Sequence, residues 1–241
     1  MSSNKDRIYK RKSAAAGSFT FDKKVADVFS DMISRSVPGY LQILELLPTL
    51  VRQFKQADAN YYDLGCSLGA GMCAMAEGLD EPARIIGVDN SAAMLKQANL
   101  IVHGLDAHNF ELREQDLSVT SVENAALVLM NFTLQFISID QRKPLIDKIY
   151  TGLNPGGALV LSEKIKFEDS KTNALLIDVH HQYKADQGYS ELEIAQKRDA
   201  IENVLIPETL ECHTQRLSDA GFSVITPWVQ NLQFISILAV K

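Results

Sequence analysis

The chain has 241 residues, 46% hydrophobic and 22% charged, which suits one large globular domain with its own core. No apolar run is long enough to span a membrane, no secretory signal follows the basic N-terminus, and the formal charge of −6 argues against direct nucleic-acid binding. The charge is uneven. Residues 1–18 hold five bases (Lys5, Arg7, Lys10, Arg11, Lys12) and one acid, net +4, which leaves −10 for the remainder. This pattern predicts a flexible basic arm over residues 1–20, ahead of an acidic body suited to a small or cationic ligand. Cys66, Cys73 and Cys212 form neither an even set nor a metal pattern and read as reduced thiols of a cytoplasmic protein.

Phe21, Val25, Val28, Phe29, Met32 and Ile33 fall at helical spacing and predict one helix over 21–36, stopped by Val37-Pro38-Gly39. A second helix follows over 40–54, and both can lie across the ligand edge of a sheet that starts after them. Tyr40, where the break meets the second helix, is either a packing aromatic or a ligand contact.

Next comes Tyr61-Tyr62-Asp63-Leu64-Gly65-Cys66-Ser67-Leu68-Gly69-Ala70-Gly71, an apolar run that breaks into a glycine turn before a helix. Glycines let the backbone turn sharply and approach a ligand, and the opening turn of the helix offers unpaired N–H groups. The same letters fit the G-x-S-x-G elbow of hydrolases, with Ser67 as nucleophile, or a turn that only packs a helix on a strand. The second strand, 84–89, separates these readings. It ends in Asp89, twenty positions past Gly69, where a carboxylate can accept both ribose hydroxyls of a nucleoside, a group that a hydrolase does not need. Asp89 also reads as an acid favouring the N-terminus of the helix that Asn90-Ser91 opens.

A third strand, 109–113, leads to Asp116, which suits an exocyclic amine or a plain turn. A fourth, 125–130, ends at Asn131, an amide at the carboxyl edge where open α/β sheets bind ligands. A helix over 144–153, the Asn154-Pro155-Gly156-Gly157 turn and a fifth strand over 158–162 complete the alternation of a doubly wound parallel sheet. Strands at 222–228 and 232–240, joined by Val229-Gln230-Asn231, predict an antiparallel hairpin closing one edge.

Residues 164–206 exceed a simple crossover and predict a helical insertion over the ligand edge, within a single domain spanning 21–241. Ser190-Glu191-Leu192-Glu193 is a capping-box start for a helix to about Leu205, whose stripe Ile194, Arg198, Ile201, Leu205 is interrupted by Arg198. That arginine either snorkels or aims its guanidinium at a ligand carboxylate or across an interface. His180, His181 and His213 lack ligand spacing and read as surface or core residues, with no metal site.

Taken together, Tyr62–Gly69, Asp89, Asp116 and Leu153–Gly157 resemble the Rossmann-like S-adenosylmethionine-dependent methyltransferases, an α/β fold with a seven-stranded, mostly parallel sheet and an antiparallel C-terminal hairpin. Ser36–Tyr40, Asp63–Ala70, Asp89–Ser91, Asn131–Phe136, Gly188–Ile194 and Gln196–Arg198 further resemble the carboxy-S-adenosyl-L-methionine synthases. The resemblance implies conversion of S-adenosyl-L-methionine and prephenate to carboxy-S-adenosyl-L-methionine, phenylpyruvate and water. In that family's scheme prephenate loses carbon dioxide and hydroxide, and a sulfonium ylide captures the carbon dioxide. The product serves a separate tRNA carboxymethyltransferase that makes uridine 5-oxyacetic acid at the wobble position. It also implies a homodimer, a cofactor lining of Tyr40, Gly65, Cys66, Ser67, Asp89, Asn90, Asp116, Leu117 and Asn131, and Arg198 as the catalytic residue gripping the transferred carboxylate.

Overall fold

The computed structural model describes residues 5–10, 20–105, 107–201 and 204–241. Its strands are β1 (Asn60–Leu64), β2 (Arg84–Asp89), β3 (Asn109–Glu114), β4 (Ala125–Asn131), β5 (Leu153–Lys164), β6 (Val224–Asn231) and β7 (Phe234–Val240). They form one sheet in the order β3-β2-β1-β4-β5-β7-β6, parallel from β3 to β5, with β7 antiparallel to both of its neighbours. The helices are α1 (Lys23–Ala26), α2 (Phe29–Ser36), α3 (Tyr40–Phe54), α4 (Ala70–Ala76), α5 (Ala92–Val102), α6 (Ile139–Gly152), α7 (Ser170–Asp186), α8 (Glu191–Ile201) and α9 (Leu210–Ala220).

The two-residue period of the strands splits the core. Tyr62, Ile86 and Val128 join Leu145, Ile146 and Ile149 of α6 and Leu217 of α9 on one face. Tyr61, Ile85 and Leu127 join Leu47 and Val51 of α3 and Met72 and Met75 of α4 on the other. With both faces covered, β4 needs a continuous apolar run, and its residues Ala125 to Met130 are all buried. The chain leaves β1 toward β2 and β3, then returns to place β4 on β1's other side. The glycine loop therefore sits at the topological switch point, where doubly wound sheets bind ligands.

The fold class matches the sequence expectation, and the differences are local. The first helix is two pieces, α1 and α2, because the backbone leaves helical geometry at Val28 (φ −126°, ψ 4°); Asp22 caps the first through Val25 N–H at 3.0 Å. Helix α6 begins at Ile139, five residues before Pro144, so that proline lies inside the helix. The β6–β7 turn is Leu232-Gln233, since Val229 to Asn231 continue pairing with β7 beyond a bulge after Pro227. In the segment expected to be a free arm, residues 5–10 are docked. Asp6 is buried, accepts from Tyr189 Oη at 2.8 Å, and its backbone N–H donates to Asp31 at 2.7 Å. The carbonyl of Tyr9 accepts from Gln196 Nε2 at 2.8 Å. Arg11 and Lys12, two of the arm's five bases, lie outside the described residues.

Candidate active site

The carboxyl ends of β1, β2, β4 and β5 open into one cavity of about 390 Å³, walled on its other sides by α2, α7 and α8. All ten sequence-predicted residues line it: Tyr40, Gly65, Cys66, Ser67, Asp89, Asn90, Asp116, Leu117, Asn131 and Arg198.

The glycine loop is built by its own backbone. Gly65 and Cys66 N–H both donate to Val88 O, at 2.8 and 3.0 Å, and Gly69 N–H closes the turn on Cys66 O at 2.8 Å. Gly65 (φ +85°) and Gly69 (φ +83°) supply the left-handed conformations this path needs. A Cβ on Gly65 would collide with Thr133 in addition to the backbone cost. Asp89 ties the loop to the next element, since Oδ2 accepts from Ser67 N–H and Oδ1 from Ser91 N–H, each at 2.9 Å. Burial raises the Asp89 pKa, against the opposing pull of these N–H donors. The carboxylate shapes the start of α5, and it also faces the cavity.

The other expected residues lie around this loop. Tyr40 lines the cavity and packs on Phe132 with ring centroids 6.5 Å apart. Asp116 likewise makes a turn, accepting Ser118 N–H at 2.8 Å, while lying at the cavity wall. Asn131 Oδ1 is buried without a protein partner, which suits an acceptor meant for a ligand. Cys66 is buried, and desolvation drives its thiol pKa up, which disfavours the reactive thiolate. Ser67 Oγ donates to Met94 Sδ at 3.5 Å and meets no histidine among the described hydrogen bonds. The hydrolase reading therefore lacks its base.

Several lining residues were absent from the sequence-derived set. Asp63 is buried at the end of β1, and burial, then the nearby Asp89 charge, pushes its pKa up to about 7. Its neighbour Gly71 has no room for a Cβ, which would stand 2.5 Å from Asp63 Oδ2. Lys164 ends β5, and His180, His181 and Lys184 project from α7. His180 is buried, with Nε2 2.8 Å from Ser36 O; a carbonyl only accepts, so Nε2 carries the proton. Burial, then the Lys184 charge, lowers the His180 pKa to about 3, so the ring is neutral. Both histidines read as surface or core thus line the cavity, and His213 is buried elsewhere. Lys197 is satisfied by Ser36 Oγ at 2.8 Å and by the Tyr189 ring, 5.5 Å away.

Sheet order converts these residues into a charge gradient. Along the carboxyl edge lie Asp116 just after β3, Asp89 on β2, Asp63 on β1, the neutral amide Asn131 on β4, and Lys164 on β5. Lys184 and Arg198 lie in the walls above. Arg198 is half-exposed and pairs with adjacent Asp199 at 3.1 Å. An exposed pair of this kind is worth about 0–1 kcal/mol, so the guanidinium is available to a ligand at little cost. Among the described residues no group of three or more His, Cys, Asp or Glu is placed to hold a metal ion, and no helix is long and apolar enough to cross a membrane.

Comparison with known proteins decides the family. A chain from Hahella chejuensis, described as a carboxy-S-adenosyl-L-methionine synthase, is 48% identical over the whole of both chains. A synthase of the same description from Idiomarina loihiensis is 47% identical over 98% of each. The chain belongs to the carboxy-S-adenosyl-L-methionine synthase family. A family model described as a methyltransferase domain matches residues 62–157, the strands and loops that form the acidic half of the cavity. The match to the synthase family extends over α7, α8 and the hairpin as well. Solved structures agree on the fold: a putative O-methyltransferase from Nostoc punctiforme (TM-score 0.62, 21% identity, 91% of this chain and 59% of that one) and an amino pentose methyltransferase from Micromonospora echinaspora bound to S-adenosylmethionine (TM-score 0.59, 14% identity, 88% and 96%).

Proposed function

We propose that the protein converts S-adenosyl-L-methionine and prephenate to carboxy-S-adenosyl-L-methionine, phenylpyruvate and water. The observation that carries this reading is the polarised cavity, with carboxylates on the β1–β3 side and cations on the β5 side. S-adenosyl-L-methionine bears a sulfonium and an ammonium and suits the acids; prephenate is a dianion and suits the cations. Asp89 and Asn90 receive the ribose, Gly65 to Ser67 approach the nucleoside, Tyr40, Leu117 and Asn131 line its walls, and Asp116 meets the exocyclic amine.

Bound S-adenosyl-L-methionine supplies a methyl group whose protons are acidified by the sulfonium. Prephenate gives up carbon dioxide and hydroxide as its ring becomes aromatic. The hydroxide takes one methyl proton to become water, and the carbon dioxide forms the new C–C bond, so atoms and charge balance. With hydroxide as base the chain needs no dedicated proton acceptor. It contributes orientation, exclusion of water and placement of charge, with Arg198 opposite the carboxylate of the product. A half-exposed Arg198 on α8 also suits a homodimer in which it reaches the neighbouring site. Three free thiols suit a cytoplasmic protein, which would release its product to a separate tRNA carboxymethyltransferase. Mass spectrometry after incubation with S-adenosyl-L-methionine and prephenate tests the reading: a carboxylated sulfonium is expected. Formation of S-adenosylhomocysteine and a methylated acid instead would make the protein an ordinary methyltransferase.

A further inference from the structure

Few described lysines have a carboxylate partner, and for the exposed ones water makes that cheap; in the cavity wall it is not. Exposed Lys23, Lys55 and Lys143 each pair with an aspartate, at 2.7, 2.9 and 2.6 Å. Lys164 and Lys184, which line the cavity, have no carboxylate partner among the described ion pairs. Lys184 is only 8% exposed. Lys164 is half-buried, and among the described contacts its Nζ meets the face of Phe234, 6.0 Å from the ring centroid. Burying an unpaired ammonium costs several kcal/mol, so folded chains rarely keep one that nothing answers. Here two face the same space, and their charges repel each other as well as Arg198.

We propose that Lys164 and Lys184 form a carboxylate subsite that holds the retained, side-chain carboxylate of the donor, separate from the Arg198 position that meets the transferred one. The inference rests on the functional reading above and assigns the donor its place. Lys164 lies two strands from Asp63 in the order β1-β4-β5, roughly 10 Å at about 4.8 Å per strand. That separation leaves the sulfonium beside the acids and the donor ring between the two ends. His180, neutral and hydrogen-bonded to α2, fixes α7 one turn before Lys184 and adds no competing charge. Lys197 is excluded from the subsite because Ser36 and Tyr189 already occupy it. A carboxylate bound between Lys164 and Lys184 supplies the counter-charge that the fold omits.

The test uses the full chain and the variants Lys184→Met and Lys164→Met, which keep length and bulk while removing the charge. Isothermal titration with prephenate in the presence of S-adenosylhomocysteine measures donor binding without turnover, and phenylpyruvate, which keeps only the side-chain carboxylate, is titrated in parallel. Each variant is expected to lose at least tenfold in affinity for both acids, with S-adenosyl-L-methionine binding within twofold of wild type. Lys184→Arg should recover part of the loss. Unchanged donor affinity overturns the subsite. So does an equal loss for S-adenosyl-L-methionine, which would place the lysines on its own carboxylate, or a loss for prephenate but not phenylpyruvate, which would place them on the transferred group. A wild-type protein that neither binds nor consumes prephenate would bring down the functional reading first, and the subsite with it.

Discussion

The backbone N–H of Ser67 donates to Asp89 Oδ2 at 2.9 Å, so the loop after β1 is held by the residue that ends β2. One carboxylate therefore sets the shape of the loop and also faces the cavity. Asp89→Ala should lose both roles. A hydrogen bond to a charged group contributes about 1.5–3 kcal/mol, and two or more are removed, so affinity for S-adenosyl-L-methionine should fall on the order of 100-fold or more. Calorimetric titration checks this, and a loss of less than threefold would mean that the loop stands without Asp89.

Gly65→Ala probes the same cradle from the backbone side. A Cβ at φ +85° costs about 1–2 kcal/mol and would also collide with Thr133, so the loop must shift away from β4. The expected outcome is a lower melting temperature together with at least a tenfold loss of S-adenosyl-L-methionine affinity. Gly188→Ala is the control, because its added Cβ meets nothing within 4 Å although φ is +86°. It should cost a comparable backbone penalty and leave binding intact.

Ser67→Ala separates the cradle from a nucleophile elbow. The Ser67 side chain touches only Met94 Sδ among the described hydrogen bonds, while its N–H makes the bond to Asp89. Alanine keeps the N–H, so formation of carboxylated product should stay within about fivefold of wild type if a weak hydroxyl contact of ~1 kcal/mol is lost. Abolished turnover with ligand binding preserved would restore a chemical role for the hydroxyl.

Arg198 pairs with Asp199 at 3.1 Å on a half-exposed stretch of α8. Because that pair is weak, a carboxylate can recruit the guanidinium readily. Arg198→Ala should weaken binding of carboxy-S-adenosyl-L-methionine by ~1.5–3 kcal/mol and leave S-adenosyl-L-methionine nearly unaffected. Competition titration of the two ligands decides it. Equal loss for both would make Arg198 structural.

What could be read from the sequence was whatever has a local signature. The continuous apolar run of Ala125 to Met130, the glycines after Leu64 and the acid ending Ile85-Ile86-Gly87-Val88-Asp89 each carry their own period or punctuation. The cationic end of the cavity has none. Glu163-Lys164 looks like a strand leaving the core, yet the antiparallel β7 extends pairing to Lys164 opposite Phe234 and keeps it inside. Helix α7 presents His180 and Lys184 to a cavity and not to an apolar core, so it lacks the hydrophobic stripe by which helices are recognised. Docking of Lys5–Lys10 depends on Asp6 meeting Tyr189, 183 positions away, which no window of sequence reveals.

Lys184 gives the donor site a pH dependence whose sign can be worked out. Burial, then the charges of Lys164 and Arg198, lowers its pKa from 10.5 to about 8. The other groups facing it are Lys197 on α8, also lowered to about 8, and His180 and His181 on its own helix, both with lowered pKa. An anionic carboxylate favours the ammonium, so binding draws a proton onto Lys184 once the free site has lost it. The KM for prephenate should therefore be flat below pH 8 and rise toward tenfold per pH unit above it, with kcat less affected. The unfolded chain still holds this proton between pH 8 and 10.5, so in the free protein the lysine's contribution to stability rises with pH across that window. Steady-state kinetics from pH 6.5 to 9.5 on wild type and Lys184→Met checks the assignment. The variant should start from a raised KM and lose the alkaline inflection; an inflection that survives in Lys184→Met would belong to Lys197 or Lys164 instead.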